Sequence, residues 1–242
     1  MIKLFRKNRQ NQIMRKHPPF ERAGTFGKYL AYAVGEIILV IIGILIALAI
    51  NEHSKNKKNL ELRDLYIVQL NDEANRNIKE LTVLKNGATE MIKELDTLVQ
   101  LLGNKAYDNP KLSLKSFVLI ASNKFYPIMI TYENLKFSGD LKLFDDLSLR
   151  NSISETYETF NPIKRFESLD QDAIAAFYEN FLMPNVRFKY MGVSSENYGK
   201  EVYFENMVLS RMVTVRQNRT TYANAIASLK KLKNTFAELH KN

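Results

Sequence analysis

The side chain of Glu36 is the one most clearly placed to do chemistry, because it is the single charge among the 22 residues 29–50. Acidic residues inside a membrane usually face protein or water, where they pair with partners or relay protons. On a helix Glu36 shares a face with Gly43 and Ala47, and this small-x-x-x-small spacing allows a second helix to approach closely. We predict a helix-packing site at Gly35, Glu36, Gly43 and Ala47. The carboxylate's role stays open between a structural seal, partner recognition, and proton or ion coupling.

The segment that carries Glu36 is long and apolar enough to cross a bilayer. A spanning helix needs about 20 apolar residues, and residues 37–50 contain 11 Ile, Leu or Val. These side chains favour insertion by about 5 kcal/mol in total, whereas one carboxylate opposes it by about 3 kcal/mol. Residues 29–50 are therefore predicted to form a transmembrane helix in contact with membrane lipid.

The charge distribution predicts which side of the membrane each part occupies. Residues 1–28 carry a net charge of +7, and the rest of the chain carries only +2. The positive-inside rule then predicts a basic cytoplasmic tail at 1–28 and an extracytoplasmic domain at 51–242. The near-neutral domain argues against nucleic acid as a partner. A cleaved signal peptide ending near Ala47-Leu48-Ala49 is the alternative interpretation.

The domain beyond the span is predicted to be an all-α antiparallel helical bundle that continues from the transmembrane helix. Apolar residues recur every seven positions over 60–102 and again over 208–236, with apolar neighbours that widen each stripe. Shorter helices are expected between them: 114–121 after a Ser113 cap, 131–138 ending at Gly139, one from a cap at Asp146 to about 160, and 165–183 after a break at Asn161-Pro162. No segment alternates long enough to predict a strand.

Two polar residues fall on the apolar face of the last helix. Arg211 and Asn218 are in line with Phe204 and Ala225, so both are predicted to be buried. A buried arginine usually has a carboxylate partner, and ligand binding is the alternative role. The chain has no cysteine and three histidines, and it shows no metal, cofactor or catalytic motif, so we expect none of these sites.

Two stretches carry a recognisable pattern. The first is residues 28–51, with Gly35-Glu36 inside the span, and the second is TYENLKFSGDL at 131–141, followed by LRN at 149–151 and Tyr157. Together they resemble a family of uncharacterised bacterial single-pass membrane proteins. The resemblance implies a Gram-negative inner membrane, with residues 51–242 in the periplasm, and it adds no catalytic residues.

These observations lead to one main expectation of function and two alternatives. The main expectation is a non-enzymatic scaffold, assembly or sensor-like subunit that forms a homo-oligomer or binds a membrane protein through its span. A stator-like, ion-motive coupling subunit that uses Glu36 is the first alternative, since its layout of basic tail, single acidic span and periplasmic domain is similar. An enzyme with a cleft near Arg211 or the 185–202 loop is the second.

Overall fold

The structure is a computed structural model that describes residues 25–187, 192–193 and 198–239. Most of the predicted basic tail and much of the 185–202 loop lie outside the described residues. Contacts divide the chain into two units, residues 1–59 and 60–242. The described residues form seven α-helices: α1 (Thr25–Gly103), α2 (Pro110–Lys115), α3 (Ile130–Ser138), α4 (Leu147–Glu158), α5 (Phe160–Phe177), α6 (Met183–Asn185) and α7 (Val202–Leu239).

The N-terminal part of α1 is the apolar segment. Its most apolar 18-residue window has a mean hydropathy of 2.9, and none of that window is buried by the rest of the described chain. By length and composition it is one helix that could cross a membrane.

The second unit is an all-α bundle, as the sequence predicts, and its core lies between α1 and α7. The ion pair Arg216–Asp96 and the hydrogen bond from Lys233 to Asn75 show that these two helices run antiparallel. Both apolar repeats are buried, because a seven-residue spacing keeps one face of each helix toward its neighbours. The largest buried apolar side chains include Ile67, Leu70, Leu81, Leu95, Leu98, Tyr157, Phe177, Phe204, Tyr222 and Phe236.

Local signals set the ends of α3 and α4 as predicted. Gly139 ends α3 with φ of +74°, a conformation that a residue without Cβ adopts at little cost. Asp146 caps α4, since its carboxylate accepts a hydrogen bond from the Ser148 amide at 2.8 Å.

Three predicted boundaries were wrong. The segment expected at 114–121 begins as α2 at Pro110 and changes to a 3₁₀ turn at Ser116–Leu119, so Ser113 lies inside the helix. The break expected at Asn161-Pro162 lies at Thr159, because the first turn of a helix tolerates a proline.

The C-terminal end of α5 is also less regular than predicted. It continues through a π-helical turn, Tyr178–Leu182, into α6. Two residue pairs, Val186 with Val193 and Arg187 with Gly192, then form a minimal antiparallel β-ladder where the sequence predicts no strand.

An extended segment crosses the bundle between the 3₁₀ turn and α3. Residues 121–129, called the strap below, have no regular secondary structure. Phe125 is the buried apolar side chain of the strap, and its ring packs edge-on against Phe160 with 5.2 Å between centroids. A segment without its own ladder must find other partners for its backbone polar groups.

Candidate functional site

The predicted packing face of the apolar helix is open in the first unit. Glu36, Gly43 and Ala47 are exposed, and Gly35 is partly so. No described atom lies within 4 Å of where a Cβ would stand on Gly35 or Gly43. The face therefore has both the carboxylate and the free space that a close helix–helix contact needs.

Arg211 lies in the core of the second unit, with 1% of its surface exposed. Its Nη1 forms an ion pair with Asp170 of α5, and its Nη2 donates a 2.6 Å hydrogen bond to the Ala121 carbonyl oxygen at the start of the strap. A buried guanidinium requires such partners, because an uncompensated charge in the interior is very unfavourable. Arg211 thus joins α7, α5 and the strap.

Side chains of α1 hold the other end of the strap. The Asn77 side chain accepts from the Ile128 amide at 2.9 Å and donates to the Ile128 carbonyl at 2.7 Å, in the manner of a β-strand neighbour. Four residues earlier, Glu73 accepts from the Thr131 amide at 2.8 Å and from the Tyr157 hydroxyl at 2.6 Å. The two side chains satisfy backbone groups that the strap itself cannot pair.

Glu167 of α5 holds the middle of the strap. Its carboxylate accepts from the Phe125 amide at 3.0 Å and from the Tyr222 hydroxyl at 2.6 Å. Burial raises the pKa of Glu167 above its ordinary value, although these two hydrogen bonds act in the opposite direction. Burial and the neighbouring carboxylate also raise the pKa of Tyr222, so this hydroxyl stays protonated and donates.

A small cavity lies where the strap meets α5 and α7. Arg211, Asp170, Asn218 and Tyr222 line it from the two helices, and Ser122 and Asn123 line it from the strap. Its free volume is about 10 Å³, close to the space that a single water molecule needs. The structure thus brings Arg211 and Asn218 to one cavity, both buried, and separates them from the residues of the apolar helix.

Among the residues that the structure describes, no cluster of three or more His, Asp or Glu side chains could hold a metal ion. The acidic residues near the cavity already have partners: Asp170 is paired with Arg211, and Glu167 accepts hydrogen bonds from the strap and α7. The arrangement can fix an extended segment against three helices and leaves room for one small neutral group.

The sequence did not single out the acidic residues that hold the strap, although a signal for them exists. Glu167 and Asp170 follow Ile163 and precede Phe177 at spacings of three, four and seven residues, so they occupy core positions of α5. An acid at a core position predicts a buried hydrogen-bond partner. The strap's backbone amides could not be recognised as those partners from the sequence.

Comparison with known proteins places the chain in a family. A profile described as a family of unknown function (DUF6090) matches residues 36–171, which is more than half of the chain. The chain belongs to the DUF6090 family. This confirms the resemblance to an uncharacterised family that the two sequence stretches indicate. The matched region of this DUF6090 chain starts at Glu36, includes the strap and Glu167, and ends at Gln171 of α5.

Two other comparisons gave no match for the DUF6090 chain. No curated protein and no solved structure is significantly similar to it.

Proposed function

We propose that this DUF6090 protein is a non-enzymatic, membrane-anchored scaffold or assembly subunit whose span binds a membrane protein partner or a second copy of itself. The observation that carries the proposal is the open face of the apolar helix, where Glu36 stands in line with Gly43 and Ala47. A carboxylate in hydrocarbon is unfavourable unless it finds a partner, and small residues bring one within reach. In this proposal the protein lies in a bacterial inner membrane.

The use of polar groups in the second unit supports a scaffold. Arg211, Asp170, Glu167 and Glu73 are the buried ionisable residues of the described core, and each is bonded to the strap or to a group that holds it. Buried charges that hold backbone groups in place contribute to a defined shape. A rigid domain of this kind would present a fixed surface on the periplasmic side.

A stator-like coupling subunit is the second candidate, and the position of Glu36 favours it. A single carboxylate within an apolar helix is the minimum that a proton- or ion-coupled subunit needs. The two functions predict different results for Glu36→Gln. In a coupling subunit the complex would assemble and lose activity, whereas in a scaffold the complex itself would be weakened.

The test of the scaffold is photo-crosslinking through the span in native membranes. A photoreactive residue at Val40, beside Glu36 on the predicted face, should give a discrete adduct, and one at Leu45, on the opposite face, should not. Glu36→Gln and Gly43→Leu should each reduce the adduct at least fivefold, with Ile38→Leu as the control. Equal crosslinking from both faces would contradict the proposal.

The orientation is tested by labelling, which the absence of cysteine makes simple. Single-cysteine variants Lys7→Cys and Lys230→Cys would be treated in intact spheroplasts with a membrane-impermeant maleimide. We expect labelling at position 230 and none at position 7 until the membrane is opened. The reverse pattern would contradict the proposed topology, and release of the protein by alkaline carbonate would contradict the anchor.

A further inference from the structure

The cavity beside the strap contains two buried polar atoms that are not bonded to any residue the structure describes. They are Nε of Arg211 and Oδ1 of Asn218, in side chains that are 1% and 6% exposed. Leaving a buried donor or acceptor unpaired costs about 1–3 kcal/mol. Two such atoms at one cavity indicate a group that binds there.

The chemistry of these atoms limits what that group is. Arg211 Nε is a donor and Asn218 Oδ1 is an acceptor, so the group must accept one hydrogen bond and donate another. The charge of Arg211 is balanced by Asp170, so the cavity favours a neutral group over an ion. The free volume of about 10 Å³ admits one oxygen atom.

A hydroxyl group meets all three conditions. We propose that the cavity between the strap, α5 and α7 binds a hydroxyl of a small neutral polyol or sugar. The hydroxyl oxygen accepts from Arg211 Nε and donates to Asn218 Oδ1, and the rest of the molecule lies against Ser122 and Asn123, which are exposed. The proposal does not depend on membrane anchoring, so it can fail while the scaffold function holds, and the reverse is also true.

Bound ligand would join the strap to α7 at a second point. Arg211 already contacts the Ala121 carbonyl, and a molecule that spans Asn218 and Ser122 adds a bridge between the same two elements. Occupancy would therefore slow the opening of the strap. This gives the scaffold a way to respond to its surroundings, the sensor-like role that the sequence leaves open.

The test is saturation-transfer difference NMR on the full chain in lipid nanodiscs, with glycerol, glucose and trehalose as probes. At least one probe should give a saturable signal with a dissociation constant in the millimolar range. Asn218→Leu removes the acceptor and should reduce that signal at least fivefold. Asn134→Leu, an exposed asparagine of α3 remote from the cavity lining, should leave it unchanged.

A second variant keeps the test decisive if Asn218→Leu fails to fold. Ala88→Leu adds bulk to the cavity wall from α1 and leaves every polar partner in place, so it should also abolish the signal. A linear, unsaturable signal that is the same in wild type and Ala88→Leu would show an adventitious additive only. That result, or no signal from any of the three probes, would overturn the proposal and leave water as the occupant.

Discussion

At the scale of single residues, the bond between Arg211 and Asp170 has the largest expected effect on stability. Arg211→Met leaves the Asp170 carboxylate buried and unpaired and removes the donor to Ala121. We expect the free energy of unfolding to fall by about 3–5 kcal/mol, the usual effect of breaking a buried ion pair. Urea denaturation followed by circular dichroism measures this.

A matched pair of controls separates burial from charge. Arg216 of the same helix pairs with Asp96 at the surface, with both side chains about half exposed. Arg216→Met should therefore change the free energy of unfolding by less than about 1 kcal/mol. The double variant Arg211→Met, Asp170→Leu should recover part of the loss, since it leaves no unpaired charge. Equal losses for Arg211→Met and Arg216→Met would contradict the assignment.

The buried carboxyl of Glu167 gives the protein a pH dependence of a defined sign. Its pKa in the folded state is raised above the ordinary value of 4.5, mainly by burial, so between the two values the folded state holds a proton that the unfolded state has lost. Its contribution to stability is therefore complete below pH 4.5 and decreases as the pH rises through the raised pKa.

Glu167→Gln keeps the size of the side chain and removes this ionisation. We expect the difference in free energy of unfolding, wild type minus variant, to become more negative as the pH rises from about 4.5 toward neutrality. Thermal unfolding at a series of pH values measures that difference. A constant difference across the range would show that the pKa of Glu167 is the same in both states.

The sequence allowed some of these residues to be recognised and hid others. Arg211 and Asn218 were predicted to be buried because they are in line with Phe204 and Ala225 on a long helix, and the structure buries both. Asp170 could not be chosen as the partner of Arg211, because 41 residues separate them and many acids compete. The backbone groups that Glu167 and Asn77 bind carry no side-chain signal at all.

At the scale of elements, the strap depends on Asn77 in place of a neighbouring strand. Asn77→Leu removes both hydrogen bonds to Ile128 and leaves its amide and carbonyl unpaired. We expect a loss of about 2 kcal/mol in the free energy of unfolding. Hydrogen exchange of a peptide covering 121–131 should become faster, more than that of the α7 core.

Asn75 is the control for that experiment. It lies on the same helix, is exposed, and bonds only to the Lys233 side chain. Asn75→Leu should leave exchange in the strap unchanged and alter stability by less than about 0.5 kcal/mol. Faster exchange in the strap of both variants would mean that the apolar substitution itself disturbs α1.

The long helices were predictable because a seven-residue repeat is sustained over many turns. The boundary at Thr159 was not, because Pro162 is equally compatible with the end of one helix and the first turn of the next. The strap was also missed, since its conformation is set by side chains of α1, α5 and α7. Local sequence carries little information about a segment whose partners are distant.

At the scale of the whole molecule, the second unit contains all the residues of its own core. The buried apolar residues begin at Ile67 and end at Phe236, and none comes from the first unit. We therefore expect residues 60–242, expressed without the apolar segment, to be soluble and to unfold cooperatively. Circular dichroism and denaturation in detergent-free buffer test this, and aggregation or a gradual transition would contradict it.

The way the strap is held also determines when it can form during synthesis. Its partners in α1 are made about 50 residues before it, whereas Arg211 follows Ala121 by 90 residues. On the ribosome the strap therefore emerges to meet half of its partners, and the Asp170 carboxylate stays without its guanidinium until α7 is complete. Closing so long a loop is entropically unfavourable and slow. The last step of folding should thus be the docking of α7, and a chain truncated before Arg211 should leave the strap exposed to proteases.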